Sequence, residues 1–162
     1  MRRYLASILG LAAFFSAGVA GAEVIQRYNT GSWTVEANAE NGALQNCTAS
    51  GQYGGGASVL FMLTRSLVWG IAITNPRWNW RPDTEGSVTY WIDSNGRRNG
   101  RAKALSPTRL LVPLADSQQL FHEIRQGNTM YFEPQGANGF SITLVGTSVA
   151  LNELMACVRR YR

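Results

Sequence analysis

Two cysteines, Cys47 and Cys157, constrain the folding of this chain more than any other feature. The N-terminus indicates their redox state. Arg2 and Arg3 precede an uncharged apolar stretch from Leu5 to Phe15, and Ala20-Gly21-Ala22 forms a small-residue cleavage site before Glu23. This is the pattern of a Sec-type signal peptide over 1–22, leaving 23–162 as one mature domain. An uncleaved anchor is the competing reading of the same stretch. The expected location is periplasmic or secreted, where two cysteines pair as one disulfide. The bridge closes a loop spanning 110 positions, for which chain entropy gives about 4–5 kcal/mol. There is no C-x-x-C spacing of a redox pair. Whatever element carries Cys47 must therefore touch the one that carries Cys157.

Cys157 falls on a helix and Cys47 on a strand. Ala150, Leu151, Leu154, Met155, Val158 and Tyr161 recur at helical spacing, with Asn152, Glu153, Arg159 and Arg160 opposite, which predicts a C-terminal helix over about 149–160. A shorter helix is expected over about 117–126, opened by Asp116 with Gln119 as a capping box and stopped by Gly127. The remainder reads as short strands. Trp33–Ala37 alternates, Cys47–Tyr53 follows, and Gly54-Gly55-Gly56 turns into Ala57–Thr64. Val68–Thr74 ends at Asn75-Pro76, and Ser87–Asp93 ends at the turn signal Ser94-Asn95-Gly96. Leu110–Val112, Met130–Phe132 and Phe140–Leu144 complete the set. Trp33, Trp69 and Trp91 lie within strands and are expected in the core. The fold class is α+β: a meandering antiparallel sheet with a short helix and a C-terminal helix packed on it, clamped by one disulfide.

Composition narrows the functional classes. At 45% apolar and 15% charged the chain is too hydrophobic for disorder, and its 17 glycines have no triplet period. Of 15 Lys and Arg, two lie in the leader, so 13 face 10 acids in the mature domain, too mild an excess for a nucleic-acid binder. The basic residues cluster instead: Arg97, Arg98, Arg101 and Lys103 near one turn, and Arg159, Arg160 and Arg162 at the end of the last helix. The first cluster is either a site for an acidic surface or a solvated hairpin tip. The second complements a helix dipole.

Catalytic motifs are missing. The chain has one histidine, His122, and four residues beyond it stands Gln126 where a zincin needs a second His. One His and a bridged cysteine pair make no usual zinc site, so neither metal nor cofactor is expected. There is no G-x-S-x-G elbow, P-loop or dinucleotide fingerprint. A small secreted hydrolase remains the alternative, through His122 or through a carboxylate pair drawn from Asp83, Glu85 and Asp93.

The segment from Asn75 to Gly86 departs from ordinary composition. If extended, Trp78 and Trp80 share one face and Arg77, Asn79 and Arg81 the other, between Pro76 and Pro82. Trp and Arg are the residues enriched at binding hot spots. Trp78, Trp80, Arg77 and Arg81, joined by Arg97 and Arg98, are the candidate binding residues. The opposing reading folds both indoles back as a lid on the sheet.

Phe140-Ser-Ile-Thr-Leu144, Gly146-Thr-Ser-Val-Ala-Leu151 and Leu154-Met-Ala-Cys157 together resemble the closing segment of small exported bacterial proteins of unknown function. A similar segment occurs in modules attached to some exported peptidases. The strand with Trp33, then Cys47, then Asn75-Pro76 with Trp78, fit the same order. The resemblance implies a β-rich, disulfide-clamped periplasmic module without known catalytic residues. Taken together, the expectation is a non-catalytic binding or accessory protein of the bacterial cell envelope. Its partner would be a protein or an envelope glycan, with no nucleic acid and no stable membrane insertion after signal cleavage.

Overall fold

The computed structural model describes residues 22–161. The expected leader therefore lies, except for Ala22, outside the described residues. These residues form ten strands and two α-helices: β1 Glu23–Thr30, β2 Trp33–Glu40, β3 Ala43–Gln52, β4 Ser58–Thr64, β5 Trp69–Thr74, β6 Glu85–Ile92, β7 Arg98–Ser106, β8 Arg109–Pro113, α1 Gln118–Gln126, β9 Thr129–Pro134, β10 Phe140–Thr143 and α2 Thr147–Arg160. All strands join one antiparallel sheet in the order β1-β2-β3-β4-β5-β8-β7-β6-β9-β10. The first five form a meander, and the β6–β7–β8 meander is inserted in reverse.

Strict alternation gives the sheet one buried face. Trp33, Val35, Ala37 and Ala39 of β2 point into the core, as do Val59, Phe61 and Leu63 of β4 and Trp69, Ile71 and Ile73 of β5. Helix α2 covers this face over β2, β3 and β4. It contributes Ala150, Leu151, Leu154, Cys157 and Val158, while Arg159 and Arg160 stay in water. The Cys47–Cys157 bridge forms, with both residues buried between β3 and α2.

The two ends of the sheet approach one another. The Tyr53 hydroxyl donates to Thr143 O (2.7 Å), and the Trp33 indole N–H donates to Val145 O (3.0 Å). β10 is thus tied by side chains to the region of β2–β4 rather than by a strand ladder, and the sheet curls on itself. Gly146 makes this possible. Its φ is +81°, and a Cβ there would lie 3.1 Å from the Trp33 ring, so only glycine fits before α2.

Several elements differ from the sequence reading. β1 and β7 were not foreseen, because Glu23–Thr30 and Arg98–Ser106 carry too many polar residues to show a buried face locally. Neighbouring strands supply their pairing. α1 is capped by Ser117, not Asp116: the Ser117 Oγ accepts from Leu120 N at 3.2 Å. α2 begins at Thr147, whose buried hydroxyl reaches Leu144 O and Ile124 O. Trp91 is not a core residue. Val88, Tyr90 and Ile92 occupy the inner face of β6, so Trp91 lies on the outer face, stacked on Tyr131 at 5.2 Å.

Candidate functional site

The Trp78–Trp80 segment is fixed by the chain on either side of it. Arg77 N donates to Asn75 Oδ1 (3.0 Å) and Trp78 N to Asn75 O (3.1 Å), an Asx turn that follows β5 directly. Trp80 N then donates to Pro107 O (2.8 Å), and Asp83 N to Ala104 O (2.8 Å), which pins the loop to the β7–β8 hairpin. Both indoles are half-buried, whereas Arg77, Asn79 and Arg81 are exposed. The period-two reading of this loop therefore describes its faces correctly.

The indoles belong to a file of rings that runs from surface to core. Trp80 meets Trp78 edge-on (6.0 Å, 74°), Trp78 packs against Phe140 (4.8 Å), and Phe140 stacks on Phe132 (5.0 Å, 14°). Phe132 is fully buried. The two tryptophans thus lean on the end of the sheet and also stand as one wall of a groove of about 330 Å³, with Ala137–Phe140 opposite. Local sequence gave no sign of Phe140 or of the β9–β10 turn in this role. They arrive through the β6–β9 and β9–β10 pairings, which bring in Phe140 from 60 positions beyond Trp80.

Charge separates the candidate arginines into two groups. The basic cluster of β7 is neutralised residue by residue. Arg97 pairs with Glu133 (2.6 Å) and lies 3.8 Å over the Trp91 ring. Arg98 makes a two-pronged contact with Glu123 (2.8 and 2.9 Å), Arg101 pairs with Glu85 (3.1 Å), and Lys103 with Asp83 (3.3 Å). Arg77 and Arg81 differ. Among the described residues, neither guanidinium has an ion pair or a hydrogen bond. Of the six candidate binding residues, Arg77, Trp78 and Trp80 line the groove and Arg81 follows them, while Arg97 contacts β6 and β9 and Arg98 contacts α1. One polar atom of the groove is unsatisfied: the Trp80 Nε1 is buried without an acceptor.

The residues considered for catalysis are dispersed. Asp83 and Glu85 hold basic partners of β7, and Asp93 accepts from Asn128 N and Thr129 N (2.9 Å each), which starts β9. His122 is exposed, at the rim of a second pocket that also includes Asp116 and Ser117. No hydrogen bond joins His122 to a hydroxyl or carboxylate among the described residues. Nor do three His, Cys, Asp or Glu side chains come together there as a metal site.

No family model matches the chain, and no curated protein matches it either. A solved structure does. The crystal structure of invasion associated protein b from Bartonella henselae superposes with a TM-score of 0.63, covering 85% of this chain and 99% of that one, at 17% identity. The likeness is one of fold. It supports the α+β architecture with an antiparallel sheet and does not by itself transfer a role.

Proposed function

We propose that this chain is a non-catalytic, exported binding or accessory protein of the bacterial cell envelope, and that it takes its partner through the Trp78–Trp80 groove. The observation that carries this reading is the uncompensated charge beside the indoles. Every basic side chain of the Arg97–Lys103 cluster has an acidic neighbour, yet Arg77 and Arg81, on a loop stiffened by two prolines, have none among the described residues. An ordered loop loses little entropy on binding, indoles offer a large apolar area, and guanidinium groups orient acidic or polar groups. The partner is accordingly an acidic patch of an envelope protein or an anionic envelope glycan. The disulfide fits an oxidising compartment, and among the described residues no helix is long and apolar enough to cross a membrane.

The test is capture from envelope extract with the mature domain as bait. Arg77→Glu with Arg81→Glu should reduce capture at least tenfold, while Arg101→Glu should not. Equal capture by all three proteins would place the binding surface elsewhere.

A further inference from the structure

We infer that the chain carries a second, separate site, an apolar pocket that takes the tail of a small single-chain carboxylate with its head group against Arg125. The pocket has a volume of about 390 Å³ and lies where the β4–β5 turn meets α1 and α2. That is within the range of small-molecule sites, roughly 300–1,000 Å³. Its floor is apolar: Leu63, Trp69 and Leu154 are buried, and Phe121 closes on Trp69 edge-on at 5.6 Å. Trp69 is held rigidly, its indole N–H donating to Ala115 O at 2.9 Å.

Two observations point to a ligand. The first is Arg125, which lines the pocket beside the Phe121 ring (5.8 Å) and whose guanidinium has no ion pair or hydrogen bond among the described residues. It lies one helical turn from Phe121, on the stripe of α1 that faces the pocket. A carboxylate against the pocket lining meets this unpaired charge. The second is Leu67, which lines the pocket with a φ of +65°. A leucine there is strained, and such strain clusters at ligand clamps. The turn that imposes it is tightly held: Leu67 N donates to Thr64 O (3.0 Å), Thr64 N to Val68 O (2.8 Å) and Val68 N to Thr64 Oγ1 (3.0 Å). The wall is thus preformed. Asp116 also lines the pocket and disfavours an anion beside it, so the carboxylate is assigned to Arg125.

The experiment is calorimetric titration of the mature, disulfide-bonded protein with octanoate and, separately, with 1-octanol. Octanoate should bind saturably at one site per chain and at least tenfold more tightly than the alcohol. Arg125→Gln should remove that preference, Arg125→Lys should retain part of it, and Met155→Trp, which fills the pocket, should abolish binding of both. Absence of saturable octanoate binding overturns the proposal, as does equal affinity for acid and alcohol. The wild-type comparison decides the matter even if an Arg125 variant fails to fold. Undiminished binding by a folded Met155→Trp would place the site elsewhere and equally overturn it.

Discussion

The Trp78 ring packs 4.8 Å from that of Phe140, so the loop that forms the groove is also seated on the last strand. Stability and the binding proposed for this groove therefore meet at Trp78. Aromatic pairs contribute about 0.5–1.5 kcal/mol beyond area burial. A double-mutant cycle of Trp78→Ala and Phe140→Ala, read by urea unfolding, should return a coupling energy in that range. A coupling indistinguishable from zero would mean the ring contact does not persist in solution.

Arg98 and Arg97 are adjacent in sequence but should behave differently. The Arg98–Glu123 side chains are 19% and 9% exposed, whereas those of Arg97 and Glu133 are 57% and 52% exposed. Hydrogen bonds to charged groups contribute about 1.5–3 kcal/mol, and exposed pairs about 0–1. Arg98→Gln should lower stability by the larger amount and be insensitive to added salt. Arg97→Gln should cost less, and salt should reduce that cost further. Similar losses for both would contradict the burial difference.

Because Cys47 and Cys157 are buried, native protein should resist mild reductant and give no free thiols by mass spectrometry. Replacing both with Ala should cost about 2–5 kcal/mol. Ready labelling of both thiols without denaturant would show an open or absent bridge.

Tyr53 sets an alkaline limit. Burial raises its phenol above the ordinary value, because the phenolate is poorly solvated there. The folded state thus favours the protonated form, and its hydroxyl donates to Thr143 O (2.7 Å). This contribution is complete below the unfolded pKa of about 10 and is lost as pH rises through the higher folded value. Tyr53→Phe should lower stability at pH 8 and flatten the loss between about pH 9 and pH 11 relative to wild type. An identical alkaline profile would remove Tyr53 from the closure of the sheet.

Much of the fold was legible because periodicity is local. The α2 stripe from Ala150 to Val158, the alternation of Trp33–Ala37 and the inward face of Trp69, Ile71 and Ile73 each follow from side-chain direction within one element. Trp91 was misplaced because residues 88–92 are apolar or aromatic at most positions, and only sheet pairing decides which set faces inward. The groove was half legible: the Pro-flanked Trp and Arg pattern identified one wall, but nothing near residue 78 names Phe140 as its seat.

The sequence by itself determined both helices, most of the strands, the α+β class and the disulfide, since these depend on spacing, turn residues and the presence of two cysteines. Only the tertiary structure decided which arginines are neutralised. Arg97, Arg98, Arg101 and Lys103 meet Glu133, Glu123, Glu85 and Asp83 through strand register and the docking of α1, contacts between positions 16 to 36 apart for the three arginines. Net charge along a chain is additive and can be counted. Its compensation in space depends on which side chains the fold brings within a few ångströms, and among the described residues Arg77 and Arg81 have no such partners.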